Sequence, residues 1–239
     1  INLIKNINLK TLSNFDLSKK FPFYGSISRQ ILLNTLKKSA LNNKNVKIIN
    51  DEVKHILKVD DDVTQVLTST GKSIKSNVII GADGVNGICR KFVCGNEKLI
   101  CKNIFRSTST NKTQYMLTKN LLQIFLTKHG HYVVYPFKSE NQNFVNYVFT
   151  PNKIFQKNFK FSDMSEIHPL LKIDKWELTS PSFTNESTSI FKHNVFLFGD
   201  SAMSIEPHLA QAGNQILEDA VFLKKTIRNQ NKPYEIFES

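Results

Sequence analysis

The chain has 239 residues, a formal net charge of +12 (Lys+Arg 32 against Asp+Glu 20) and 40% apolar residues, enough for a packed core in one domain or two small ones and too apolar for a disordered chain. No apolar run approaches the ~20 residues of a membrane span, so the expectation is no signal peptide, no integral membrane segment and a cytoplasmic location. The lysines are scattered, with no basic run interleaved with aromatics and no zinc-finger or RNP signature, which argues against a nucleic-acid partner and for a basic face that attracts anionic cofactors.

Residues 1–20 are polar, and Leu3, Leu9, Leu12 and Leu17 are too loosely spaced to fix an element. Phe21-Pro22-Phe23-Tyr24-Gly25 reads as an extended segment with a turn. A helix then opens at Ser28-Arg29-Gln30, with Ser28 as N-cap and Ile31, Leu32, Thr35, Leu36 and Leu41 as its stripe. Arg29 stands where a cation opposes the helix dipole; a bound anion would make it comfortable, and a solvated surface Arg is the plain alternative. Val46–Ile49, Val53–Val59 and Val63–Thr68 read as strands, with a solvated turn at Asp60-Asp61-Asp62 and another at Thr70-Gly71-Lys72.

Val78-Ile79-Ile80 is a β-branched run that predicts a buried strand, and Gly81 and Gly84 bracket Asp83 at its carboxyl end. Glycines there permit unusual dihedrals or the close approach of a phosphate-bearing ligand, and such ligands gather at strand carboxyl ends in open α/β sheets. A tight strand-to-helix turn capped by Asp83 fits the same letters. Cys89, Cys94 and Cys101 are odd in number and lack metal-ligand spacing, so buried thiols in a reducing compartment are expected.

From Cys101 to Phe149 the chain is strand-rich, with strands expected over 123–127, 132–137 and 144–149. His129 and His131 share a strand face but have no third ligand in sight, so they read as sheet-surface histidines. Tyr135, Phe137 and Tyr147 could line a slot for a flat substrate or fill the core. Phe155–Phe161 is a spacer, Ser162–Glu166 opens a short helix ending near His168-Pro169, and residues 180–189 form a polar loop.

The last informative stretch is Asn194-Val-Phe-Leu-Phe-Gly-Asp200. Its unbroken apolar run suits a strand buried on both faces, which delivers Asp200 to a sheet edge. Beyond Pro207 a helix is expected from Gln211, with Ile216, Ala220, Leu223 and Ile227 on its buried side. A carboxylate at a strand end followed by a helix amino end suits a polyhydroxylated, electron-rich cofactor. A surface Asp ending a strand before an ordinary helix would leave the same pattern.

This stretch resembles the second flavin-binding motif of the FAD-dependent aromatic hydroxylases, the para-hydroxybenzoate and salicylate hydroxylase superfamily. Gly199, Asp200, Ala202, Pro207, Gln211, Asn214, Glu218, Asp219 and Ala220 stand in matching positions. Arg29 and Leu32 match that family's Arg at the start of its helix, and Gly81-Ala-Asp-Gly-Val-Asn-Gly-Ile-Cys-Arg90 resembles its Asp-Gly motif. Residues 129–137 with 143–147 are similar to paired strands of the salicylate hydroxylase branch. Three departures stand out: Gly87 occupies the usual Ser, Met203 the usual His, and the Gln-Gly pair has become Gln211-Ala212 with Gly213 displaced by one.

The resemblance implies an α/β fold: an incomplete FAD-binding, Rossmann-like (doubly wound) domain with an inserted β-sheet-rich substrate domain. The implied boundaries are 1–98 and 185–239 for the FAD-binding part and 99–184 for the insertion. The family's Gly-x-Gly-x-x-Gly unit does not occur in these residues, and the chain opens Ile1-Asn2-Leu3 with its first Met at Met116, so a fragment lacking the first motif, inactive by itself, is expected. The resemblance further implies that Asp200 binds the ribityl chain of FAD, that Pro207, Gln211, Ala212, Gly213 and Asn214 face the flavin ring, and that Arg29, Asp83 and Gly84 also serve the cofactor. The implied activity is that of a monooxygenase in which NADH or NADPH reduces the flavin, O2 adds to it, and a flavin hydroperoxide hydroxylates an aromatic or similarly unsaturated small molecule. A same-fold reductase or epoxidase, or a degenerate binding module without catalysis, are the alternatives. No residue stands out as a catalytic acid or base, and substrate and oligomeric state stay open.

Overall fold

A computed structural model describes residues 2–5, 10–14, 25–61, 63–139, 141–153, 173, 175–179, 181–183, 189–206 and 212–229, with the backbone alone over 2–5, 10–14, 182–183 and 226–229. Leu9, Leu17, the turn at 21–24, Asp62, the spacer 155–161, the expected helix at 162–166, Pro207 and Gln211 lie outside the described residues. In chain order the elements are β1 (Asn2–Lys5), β2 (Lys10–Asn14), α1 (Arg29–Leu41), β3 (Val53–Lys58), β4 (Thr64–Thr68), β5 (Ser73–Ser76), β6 (Ile79–Gly81) and α2 (Ile88–Cys94). There follow β7 (Ile100–Cys101), β8 (Ile104–Ser109), α3 (Lys112–Leu117), β9 (Gln123–Leu126), β10 (Gly130–Ser139) and β11 (Gln142–Pro151). The chain closes with β12 (Glu177–Thr179), β13 (Ser182–Phe183), β14 (Phe191–Lys192), β15 (Val195–Leu197), a 3-10 turn (Gly199–Ser201) and α4 (Ala212–Asn229). Two compact units result, Ile1–Ile48 with Lys102–Pro181, and Ile49–Cys101 with Ser182–Ser239.

The first unit is built on a sheet in the order β12-β8-β11-β10-β9-β1-β2. Its spine is the long β10–β11 hairpin, paired without a break from Gly130↔Pro151 to Ser139↔Gln142. Alternation puts Tyr132 and Val134 on one face with Val145, Tyr147 and Phe149. With Phe105 and Phe125 these form the core, covered by Tyr115 of α3, Ile173 and Trp176. Tyr132 stacks on Phe149 at 4.3 Å between ring centroids, and Tyr147 meets Trp176 edge-on at 6.3 Å. The N-terminal segment joins because β1 pairs in parallel with β9, a long-range partner that spacing within residues 1–20 could not announce. α1 starts as expected at Arg29, yet Ser28 makes no side-chain cap bond and none of the helix's residues is buried.

In the second unit, β3, β4 and β5 form an antiparallel meander, and β14, β15 and β6 a second sheet in which β15 runs parallel to β6. Val195, Phe196 and Leu197 are 0, 4 and 5% exposed, the buried strand that the apolar run predicts. Val195 and Leu197 pack with Ile56, Cys89 and Val93, while Phe196 stacks on Phe191. Four expectations change. Val46–Ile49 is not a strand; Val46, Ile48 and Ile49 are exposed and unpaired by any ladder. Ile80 is 41% exposed, because among the described residues β6 has a neighbour on one edge only. Cys101 is exposed rather than buried, while no cysteine is in a disulfide. Within the polar loop 180–189, Ser182–Phe183 pairs with β7.

Candidate functional site

Two parallel strands end side by side, and their ends carry the two motifs. Leu197 is in register with Gly81, and the Phe198 amide donates to the Gly81 carbonyl at 2.8 Å. Gly199 then takes φ 62, a left-handed conformation that glycine adopts without strain. The 3-10 turn that follows leaves Asp200 exposed, and its carboxylate makes no hydrogen bond among the described residues. A Cβ at Gly199 would stand 3.3 Å from Ile216 of α4, so α4 is seated against this turn. The half-buried positions of that helix are Ala212, Ile216, Asp219 and Leu223; Gly213, Asn214 and Ala220 are exposed.

The turn after β6 is closed by its own acidic residue. The Asp83 carboxylate accepts from the Cys89 amide at 2.9 Å, capping α2. A Cβ at Gly87 would lie 2.1 Å from the Asp83 Cγ, so the missing side chain at 87 makes room for the cap. Burial, and then the neighbouring Asp83 carboxylate, push the Cys89 thiol up to about 12. Gly84 takes φ 79 with open space where its Cβ would be. A cleft of about 790 Å³ runs beside this turn, lined by Gly81, Ala82, Asp83, Gly87, Val53 and Val66 among others.

Sequence reasoning missed the residues that hold the two strand ends together. Ser201 is fully buried. Its hydroxyl accepts from the Phe198 amide at 3.0 Å and faces the Phe198 carbonyl at 2.8 Å and, closer still, the Gly81 carbonyl. Arg90 of α2, 3% exposed, donates from Nη1 to the carbonyls of Ser201 at 2.7 Å and Ala202 at 3.0 Å. Its Nη2 pairs with Glu97. The available signal was an Arg inside the Asp-Gly stretch, which an isolated reading assigns to solvent.

Arg29 lies in the other unit, exposed at the first position of α1. Within that unit Tyr147 belongs to the core, whereas Tyr135, in register with Asn146, sits on the opposite sheet face with Phe137. Both are half-buried. Phe137 stacks on Phe144 at 5.0 Å, and burial raises the Tyr135 phenol, an effect that Arg106 partly offsets. Over β8 and α3 there is also an open hollow of about 970 Å³ lined by Arg106, Ser109, Asn111, Gln114 and Lys175. Among the described residues no cluster of three metal-ligating side chains occurs, His129 and His131 included, and no helix is long and apolar enough to cross a membrane.

No protein-family model matches the chain. In sequence it is similar to the 3-hydroxybenzoate 6-hydroxylase of Klebsiella oxytoca, 25% identical over 221 residues, which covers 85% of this chain and 55% of that protein. In structure it is similar to Klebsiella pneumoniae HpxO, solved with FAD and uric acid, with a TM-score of 0.73 and 17% identity over 97% of this chain and 63% of that one. A salicylate hydroxylase substrate complex gives a TM-score of 0.75 at 16% identity, over 95% of this chain and 63% of that one. The 2,6-dihydroxypyridine-3-hydroxylase of Arthrobacter nicotinovorans gives 0.71 at 14%, over 97% and 67%. The chain therefore spans a little over half to two thirds of the proteins it matches. Over that part of their length, it has the fold of the FAD-dependent aromatic hydroxylases.

Proposed function

We propose that this chain is part of an FAD-dependent monooxygenase that uses NADH or NADPH and O2 to hydroxylate an aromatic or similarly unsaturated small molecule. The observation that carries the reading is the exposed Asp200 carboxylate, delivered by a buried strand to the carboxyl end of a parallel pair and beside a glycine turn whose Cβ space is open. These residues fit a flavin nucleotide. Asp200 has no competing partner among the described residues and can accept from ribityl hydroxyls. Gly84 offers a backbone that a ligand can approach without meeting a side chain.

When bound, FAD supplies the electron transfer from the nicotinamide and the activation of oxygen. The chain's own residues bind and orient. Asp200 would hold the ribityl chain, and Pro207, Gln211, Ala212, Gly213 and Asn214 are proposed to serve the flavin ring. Arg29 is proposed as a cationic partner of the cofactor. Asp83 serves it through the turn it closes, since its carboxylate is committed to α2. Tyr135 and Phe137, the half-buried aromatics away from the core face, are proposed to meet the flat substrate. By the same reading, residues 1–98 and 185–239 belong to the cofactor domain of the whole protein and 99–184 to its substrate domain, with β1 and β2 lent to the sheet of the latter.

The test is purification of the whole protein, followed by measurement of bound FAD and of oxygen uptake with NADH or NADPH and a panel of aromatic acids. Stoichiometric FAD with substrate-dependent uptake of oxygen is expected. FAD with nicotinamide oxidation that never draws down oxygen would instead favour a reductase of the same fold, and absence of FAD would leave a binding module.

A further inference from the structure

We propose that Arg90 is the positioning residue of the Gly199–Ser201 turn, drawing two backbone carbonyls inward so that Asp200 is held outward at the carboxyl end of β15. The inference rests on the reading of Asp200 as a cofactor ligand. The geometry behind it does not: Arg90 is buried, forks onto the Ser201 and Ala202 carbonyls, and is neutralised by Glu97.

A cation taken out of water is costly unless an opposite charge and hydrogen bonds replace the lost hydration. Here one terminal nitrogen serves the turn and the other serves Glu97. A planar guanidinium does both at once; an ammonium on a flexible stem holds no such fork. The clamp is also the link between two motifs far apart in the chain, since Arg90 and Ser201 are 111 positions apart. Ser201 adds the second tie, through its hydroxyl to the Gly81 carbonyl. With both in place, the Ala202 and Met203 amides each close on the Gly199 carbonyl at 2.9 Å, which winds the turn tightly around Asp200. Without Arg90, two carbonyls lose their charged donor and Glu97 loses its counter-ion, so the turn unwinds toward solvent.

The experiment compares the whole protein with its Arg90→Met, Arg90→Lys, Glu97→Gln and Asp200→Asn variants by three measurements. Hydrogen exchange is read at the Ala202 and Met203 amides, FAD affinity by flavin fluorescence of the apoprotein, and the bound ring by visible circular dichroism. Arg90→Met is expected to speed exchange at both amides and to weaken FAD, each by about 10- to 100-fold, the scale of losing hydrogen bonds to a charged donor. The flavin dichroism should change, while exchange at the Tyr132 and Val148 amides stays as it was. Arg90→Lys and Glu97→Gln should fall in between, and they carry the test if the Met variant does not fold. Asp200→Asn should weaken FAD without speeding exchange at Ala202. Unchanged exchange in the Arg90 variants, or faster exchange with FAD affinity and dichroism intact, overturns the proposal. A parent protein that binds no FAD removes the cofactor reading instead, and exchange alone then decides the clamp.

Discussion

Tyr132 and Tyr147 each bury a phenolic hydroxyl with no hydrogen-bond partner among the described residues, at 0% exposure. Burial raises both phenols above their ordinary value, so both stay protonated and both carry a donor that no described residue receives. A buried unsatisfied group of this kind costs about 1–3 kcal/mol. Replacing either Tyr by Phe deletes the hydroxyl and keeps the ring that stacks on Phe149 or meets Trp176. The oxygen leaves a void of roughly 10–15 Å³, which at about 24 cal/mol per Å³ returns only ~0.3 kcal/mol. Tyr132→Phe and Tyr147→Phe are therefore each expected to stabilise the protein by about 1 kcal/mol or more. Both rings touch Trp176 at 6.3 Å, so the double variant need not give the sum. Urea unfolding of the whole protein, followed by tryptophan fluorescence, should show a higher midpoint at unchanged slope. A loss of about 0.5 kcal/mol or more in either single variant would refute the reasoning, because it would mean that the hydroxyl is bonded, for instance to an ordered water.

Gly87→Ser places a side chain against the Asp83 carboxylate, which must swing out while the new hydroxyl takes over the cap of α2. Its melting temperature should correspond to a change within about 1 kcal/mol, whereas Asp83→Ala, which removes the cap outright, should cost about 1 kcal/mol; a loss beyond ~2 kcal/mol for Gly87→Ser would mean that the cap cannot be exchanged. Asp51 accepts from the Ser69 hydroxyl at 2.8 Å, the Glu52 amide at 2.9 Å and the Thr70 hydroxyl, and these bonds, Thr70 foremost, hold it well below its ordinary value of 3.8. A carboxylate depressed in the folded state contributes stability that is complete above its unfolded value and is lost as pH falls toward the folded one. Asp51→Asn should flatten the acid side of a pH series of urea midpoints, and an acid limb identical to the parent's would count against that bonding.

Legibility in the sequence followed the source of each element's order. Val195–Leu197 was readable because a strand buried on both faces writes itself as an unbroken apolar run. The start of α1 was readable from Ser28-Arg29, since helix boundaries are local, but the packing of its stripe was not. Val46–Ile49 has the letters of a strand and no ladder partner, a case where propensity without pairing leaves an exposed segment. α3 was hidden in strand-rich text. Its only signal is Asn111, whose side chain accepts from the Thr113 and Gln114 amides. Asp200 could be placed at a strand end from its neighbours alone. Arg90 could not be found that way, because its role depends on carbonyls from the far end of the chain.

The joining of Gly81 to Ser201 across 120 positions bears on how the chain is made. At about 5–20 residues per second, a ribosome delivers the second partner roughly 6–24 s after the first. Throughout that interval β6 has left the exit tunnel without β15, its one strand neighbour among the described residues, while the β10–β11 hairpin, whose strands follow one another directly, has time to close. Synthesis thus orders assembly: the hairpin sheet first, the strand pair that carries the two motifs last.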